Sequence, residues 1–292
     1  MTQRSFDKLR ALSLLRRAGR IGLRGWLIFL IALLYAPIIV VIGSSFDRGP
    51  DAGPAAFLSF PPKEFTFHWY SQITPRMWDA VWFSLKLACA TTAAALALGV
   101  PAALGLARAT PRLYASLSSV CRTPLQIPFI VTGVAFLQFY YAVSAVTGLQ
   151  LVGTMPGLLI AHVFVATPYV IAAVVVALGG AAASLEDAAV SLGATYPRAV
   201  WRVTLPLAMP GVFAGGLYAF LVSFTDVTIA VLLGGAGTAT FPVAVINAID
   251  GELDPSVPAV ASLVFLVSVL VIALLQKLTG AQLLVSSSRN GG

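Results

Sequence analysis

Apolar residues run through this chain in blocks too long for an ordinary soluble helix. A helix needs about 20 consecutive apolar residues to cross a bilayer. Residues 26–44, Trp26 to Ser44, meet that length and predict a first membrane helix. Their flank is basic, as in a signal peptide, but the apolar stretch is too long for a typical signal core. It is therefore read as an uncleaved first helix. The uncharged run 87–107, entered from near Asp79, predicts a second. No Asp, Glu, Lys or Arg lies between Arg122 and Glu186. That run is too long for one crossing, and Gly148, Gly153 and Pro156 supply the turn that divides it. It predicts helices over about 124–147 and 156–179. A fifth is predicted from about Leu207 to Gly234, and a sixth from about Pro258 to Leu278. The predicted fold class is all-α: a polytopic membrane protein of six transmembrane helices, with both termini on one side.

Composition agrees. Apolar residues make up 59% of the 292 and charged residues only 10%, against roughly 25% charged in soluble domains. The mean hydropathy is +0.92. A single soluble domain and a disordered chain are both excluded. Orientation follows from the basic residues. Seven of the 18 lie before residue 25, and Arg108, Arg112, Arg122, Arg198, Arg202, Lys277 and Arg289 fall on the same side. Arg48, Lys63, Arg76 and Lys86 fall on the other. The positive-inside rule makes both termini cytoplasmic. A basic arm beside an apolar run is a membrane anchor rather than a nucleic-acid arm. The outer end of helix 2 carries Trp69, Tyr70, Trp78 and Trp82, read as an interfacial aromatic belt.

Several chemistries fail on inventory. None of the four lysines, Lys8, Lys63, Lys86 and Lys277, follows a glycine, so no P-loop exists. With only His68 and His162, no HExxH helix is possible. Cys89 and Cys121 lack metal-ligand spacing and read as small hydrophobes. No cofactor or metal site is expected. Within the spans Asp226 stands without a second acid, which leaves ion coupling and acid-pair catalysis poorly supplied. Two readings stay open for it: an ion pair with a basic residue, or a carboxylate on a cation pathway. His162, alone in an apolar helix, is read as a neutral packing residue paired to a neighbouring helix.

The loop 180–206 is different from the others. Ser184-Leu185-Glu186-Asp187 is close to a capping box. Ala188 and Ala189 favour helix. Gly193 is a natural stop, and Pro197 can open a second helix. Arg198 and Arg202 lie four apart on that helix, which Leu205-Pro206 is expected to end. Two short helices around a glycine turn, between two spans, suit either a structured connector or insertion into a partner's groove.

Asp187-Ala188-Ala189, three residues, Gly193, nine residues, Val203, Thr204 and Leu205-Pro206 resemble the signature of permease subunits of binding-protein-dependent ABC importers. Asp187 stands where that signature has Glu, and Val203 where it has Ile. Asp is one methylene shorter, and Glu186 is a candidate to reach the partner in its place. Further likeness lies in Trp69-Tyr70, Ser84-Leu85, Thr91-Thr92, Gly99 to Arg108, Pro124 to Tyr140, His162 and Pro168. Ser223-Phe224-Thr225-Asp226, Gly237-Thr238, Phe241-Pro242-Val243 and Asp254-Pro255 resemble the spermidine/putrescine-type branch, with Thr225 where a second acid is common. The resemblance spans roughly residues 25–280.

It implies a type I ABC importer permease architecture: a non-catalytic subunit forming half of a translocation pathway. The implied partners are a second homologous permease subunit, two cytoplasmic ATP-binding subunits, an extracytoplasmic substrate-binding protein and membrane lipid, with no nucleic acid. The expected domains are a basic segment 1–25, a permease domain 26–280 with a coupling loop 180–206, and a cytoplasmic tail 281–292, in a bacterial inner membrane. Coupling to the ATPase is expected of Ser184, Glu186, Asp187, Ala188, Ala189, Gly193, Arg198, Arg202 and Pro206. Asp226, Thr225, Tyr140 and Tyr141 are the substrate-pathway candidates. The solute is expected to be small, with a polyamine first and a phosphonate, an iron complex or an amino-acid-like compound as alternatives. An ion-coupled secondary transporter is the competing class.

Overall fold

The computed structural model describes residues 3–47, 60–179, 182–250 and 256–270. They form two compact units, Met1–Ile73 with Glu252–Leu274, and Thr74–Gly251 with Leu275–Gly292. Among the described residues there are helices and one isolated β-bridge, Asp47 to Phe65, but no strand.

In the first unit, helix α1 (Gln3–Ser44) begins well before the predicted Trp26. Its basic N-terminal part lacks apolar length but contains good helix formers such as Arg, Leu and Ala. Its apolar stretch Gly22–Ser44 is long enough to span. The chain then folds into a compact cap. Asp47 Oδ1 accepts the backbone N–H of Lys63 and Glu64, and Trp69 Nε1 donates to the Asp47 carbonyl at 2.7 Å. Tyr70 of helix α2 (His68–Ser71) is hydrogen-bonded to Ser45 through its hydroxyl at 2.8 Å. Trp69 and Tyr70, two of the four residues of the expected aromatic belt, thus hold the cap together. The last described helix is Val257–Leu270. The rest of the sixth predicted span lies outside the described residues, as do Arg48, Asp254-Pro255, Lys277, Arg289 and the tail 281–292.

The second unit contains α3 (Pro75–Ala107), α4 (Pro111–Arg122), a 3-10 turn (Thr123–Gln126), α5 (Phe129–Thr147), α6 (Met155–Leu178), α7 (Ala182–Ser191), α8 (Tyr196–Ala199), a π-helical turn (Val200–Thr204), α9 (Leu205–Thr225), α10 (Thr228–Leu233) and α11 (Phe241–Asp250). Helix α3 starts at Pro75 rather than near Asp79, because proline in a first turn loses no hydrogen bond. Helix α5 starts at Phe129, not 124, because Pro124 and Pro128 hold the preceding residues in a 3-10 turn and an extended link. The fifth predicted span is not continuous to Gly234. It breaks at Asp226, whose backbone is extended at ψ 130°, and resumes as α10.

Four segments of this unit are long and apolar enough to cross a membrane: Pro75–Ala107, Phe129–Thr147, Met155–Leu178 and Tyr196–Thr225. Helix α6 packs against both α3 and α9, which also touch each other. Their shared core is made of small and β-branched residues, including Ala95, Ala103, Ala166, Val170, Val174, Ala208 and Ala219. Lipid is as apolar as leucine, so helices associate in a bilayer through close backbone packing rather than water exclusion. Gly211 and Gly215, four apart on α9, permit that approach. A Cβ on Gly211 would lie 2.6 Å from the Ala173 carbonyl oxygen, and one on Gly215 2.9 Å from Val170 Cα.

Both clashes are with backbone, so a side chain forces the helices apart. Gly211→Val is expected to destabilise the protein by about 1–3 kcal/mol, the usual cost of overpacking. A lowered thermal midpoint in detergent checks this. A midpoint equal to the parent's contradicts the packing account.

Candidate functional site

Two clusters of polar side chains occur in the second unit. One lies among the membrane helices. His162 on α6 is hydrogen-bonded through Nδ1 to Ser223 Oγ on α9 at 2.8 Å, and Ser223 Oγ donates to Thr91 Oγ1 on α3 at 3.3 Å. His162 therefore pairs with a neighbouring helix, as its isolation in an apolar sequence suggests. Its Nε2 lies 3.6 Å from Asp226 Oδ2. Asp226 is only 6% exposed. Its Oδ2 accepts the backbone N–H of Ile229 and of Ala230, each at 3.0 Å. The carboxylate thus caps the first turn of α10, where helix breakage would otherwise leave N–H groups unpaired. Phe129, Val165, Val222 and Ile229 surround it together with His162 and Ser223, leaving no room for a water molecule. Oδ2 of this carboxylate is engaged with backbone, while Oδ1 is buried without a hydrogen-bond partner among the described residues.

The other pathway candidates separate. Tyr140 is fully buried and donates its hydroxyl to the Gly157 carbonyl at 2.8 Å. It ties α5 to α6. Tyr141, 59% exposed, lies on the outer face of α5. Thr225 is exposed and returns its hydroxyl to the Leu221 carbonyl. The four candidates do not converge on one cavity. Ser84, which the sequence offered only as part of a family likeness and gave no role, accepts the Phe241 N–H at 2.7 Å through Oγ and so anchors the start of α11 to α3.

The second cluster lies between α6 and α9. The expected capping box does not form. Helix α7 already includes Ala182 and Ala183, which places Ser184 inside the helix rather than at its N-cap. Gly193 adopts φ +91°, with nothing within 4 Å of where a Cβ would stand. Its requirement is conformational, since this left-handed geometry disfavours residues with a Cβ. Pro197 sits in the first turn of α8, as predicted. Leu205-Pro206 does not end the second helix. Leu205 N–H donates to the Val200 carbonyl, five residues back, and the chain runs through this π turn into α9. Pro206 has no N–H and its ring would press on the carbonyl four residues earlier; a wider turn accommodates both. Arg198 and Arg202 are exposed, with the π turn between them in place of a regular four-residue repeat.

Asp187 and Ala188 face solvent and Ala189 is half-buried. Glu186 points inward and is 4% exposed. It cannot reach outward in place of a longer acid at 187, because both its oxygens are engaged. Arg108, the C-cap residue of α3, donates from Nη2 to Oε1 at 2.6 Å and from Nε to Oε2 at 3.0 Å. Thr204 in the π turn donates to Oε1 as well. The hydrogen bond and charge of Arg108 hold the Glu186 carboxyl below the usual range and raise the guanidinium in turn. No short-range sequence signal links residues 78 positions apart.

Two outcomes follow. Asp226→Ala removes the cap of α10 and is expected to cost about 1 kcal/mol, while Asp226→Asn retains an acceptor and most of the stability. Thermal midpoints of the two variants check this, and equal midpoints contradict the capping role. The Glu186 carboxyl is depressed on folding, so its contribution is fully present above the ordinary value of 4.5 and is lost as pH falls through the lowered one. The pH dependence of the thermal midpoint of Glu186→Gln minus that of the parent is expected to be flat from neutral down to about 4.5. The gap should narrow only in stronger acid.

Comparison with known proteins agrees with this architecture. Residues 95–283 match the family described as binding-protein-dependent transport system inner membrane component. The chain is 32% identical over 235 residues to the putrescine transport system permease protein PotI of Escherichia coli K12, covering 79% of this chain and 81% of that one. It is 32% identical over 208 residues to the molybdenum transport system permease protein ModB of Mycobacterium tuberculosis, covering 68% and 78%. It is 27% identical over 264 residues to the spermidine/putrescine transport system permease protein PotC of Haemophilus influenzae, covering 89% and 98%. A bacterial ABC transporter involved in import of the acidic polysaccharide alginate shares the fold at a TM-score of 0.67 and 19% identity, over 90% of this chain and 96% of that one. With its apolar helices, its small-residue core and the signature between α6 and α9, the chain belongs to the binding-protein-dependent transport system inner membrane components: it is an inner-membrane permease subunit of an ABC importer.

Proposed function

We propose that α7 and α8 form the docking segment for a cytoplasmic ATP-binding subunit. The observation that carries this is an exposed apolar surface on a segment that the membrane helices leave uncovered. Leu192 is 89% exposed, with Leu185 and Val190 also open. Large apolar side chains gathered on one short segment mark an interaction site. Asp187, Ala188 and Gly193 lie in the same segment, at the positions of the family signature. The clustered basic residues favour the cytoplasmic side for this segment and for both termini. The assembly then holds a second homologous permease subunit, two ATP-binding subunits and an extracytoplasmic binding protein. Residues 26–280 are its permease domain, with 1–25 and 281–292 as cytoplasmic flanks.

In this reading ATP closes the partner dimer, the docked segment follows, and the membrane helices exchange inward-open and outward-open arrangements. ATP can drive the exchange only by as much as it favours one arrangement over the other. The proposed solute is a polyamine, supported by likeness to both PotI and PotC. The equal identity to the molybdenum permease ModB favours a molybdenum-containing solute as a second reading.

The test is uptake into proteoliposomes holding the complete complex with ATP inside. Labelled putrescine is expected to accumulate, dependent on ATP and on the binding protein. No putrescine uptake, with uptake of a labelled molybdenum solute instead, would overturn the polyamine assignment. Uptake without ATP would overturn the importer's coupling. Gly193→Asp is expected to leave the complex assembled and hydrolysing ATP while uptake falls about tenfold, within the usual range of coupling energies. Normal uptake by that variant contradicts the role of the turn.

A further inference from the structure

The Arg108–Glu186 pair is not explained by docking alone. Glu186 lies on the inner face of α7, away from the exposed surface that carries Asp187 and Ala188. Its carboxylate meets Arg108 at the end of α3 and Thr204 at the start of α9. Arg108 adds a third tie, with its guanidinium 5.5 Å from the centre of the Tyr196 ring at the head of α8. It also donates from Nη1 to the Leu104 carbonyl, which orients it on its own helix. One buried carboxylate and one arginine therefore join α7, α8, α3 and the start of α9. Helices α3 and α9 are two of the three that build the membrane core.

Helix α7 needs such a tie. It lies between Gly179 at φ +58° and Gly193 at φ +91°, so neither end continues as helix into a membrane span. A push on α7 would otherwise swing it about these turns. A bidentate arginine–carboxylate pair resists that swing in two directions, because both hydrogen bonds must be kept in one plane. Thr204 extends the hold into α9.

We propose that the Arg108–Glu186–Thr204 contact is the internal clamp that makes α7 move as one body with α3 and α9. It carries the ATPase stroke into the membrane helices, and Arg108 and Glu186 are positioning residues for coupling. This rests on the docking reading above. It adds that docking and transmission are separable, with Asp187 and Ala188 on the outer side and Glu186 on the inner.

The experiment uses the complete complex in proteoliposomes and reads two quantities. The first is solute taken up per ATP hydrolysed. The second is a thiol cross-link between Ala188→Cys, in a chain with Cys89 and Cys121 replaced by Ser, and a cysteine on the ATP-binding subunit. Glu186→Gln keeps the side-chain shape and removes the charge. It is expected to lower uptake per ATP about tenfold while the cross-link forms as in the parent. Reversing the pair, Arg108→Glu with Glu186→Arg, is expected to recover most of that ratio. An unchanged ratio in Glu186→Gln overturns the clamp. Loss of the cross-link in that variant also overturns it, since the pair would then only shape the docking surface. Uncoupling that the reversed pair does not repair overturns the assignment to the ion pair. A parent chain that gives no cross-link overturns the docking reading itself, and the clamp with it.

Discussion

Close contact between α6 and α9 is the constraint on which the second unit depends. Burying apolar surface supplies little force between helices already surrounded by lipid, so contact must come from packing backbones closely. Gly211 and Gly215 bring α9 against Ala173, Val174 and Val170 of α6, and alanines with Leu96, Val100 and Leu104 of α3 complete the shared core. The same contact sets the places of the polar groups. Only with α3, α6 and α9 this close can Thr91, Ser223 and His162 join across three helices.

The interior polar groups follow a second rule of the bilayer: backbone groups freed by a broken helix must find partners inside the protein. The break at Asp226 exposes the first N–H groups of α10, and the Asp226 carboxylate takes two of them. An acid for which the sequence leaves both an ion pair and a cation pathway open thus has a structural task as well. Tyr140 behaves similarly, spending its hydroxyl on the Gly157 carbonyl. The residues that resemble family motifs, among them Ser84, Thr91, His162 and Ser223, include those that make these interior contacts.

Outside the membrane helices the arrangement is inverted. The connection between α6 and α9 keeps Leu192 exposed and turns Glu186 inward onto Arg108, whose own side chain stays partly exposed. The outer face is free for a partner, while the inner face is locked to the ends of α3 and α9. The π turn at Val200–Thr204 lets α8 run on into α9 despite Pro206, so no loose loop separates this segment from the core.

The sequence alone determined the class of protein, the positions of most spans and the spacing from Asp187 to Pro206, because apolar length and local turn chemistry are properties of neighbouring residues. Gly193 and Pro197 fell where their own conformational limits require. Tertiary structure decided what no local pattern holds. Ser184 lies inside α7 because the helix begins before it, and the helix that Leu205-Pro206 would end continues through a wider turn. Asp226 lies buried at the break in the fifth span, its carboxylate capping the N–H groups of Ile229 and Ala230 just beyond it, with His162 of α6 3.6 Å away. Glu186 turns inward because Arg108, 78 residues earlier in the chain, waits at the end of α3. A charge pair of that separation depends on how three helices pack, and packing is decided by the whole unit rather than by any stretch of its sequence.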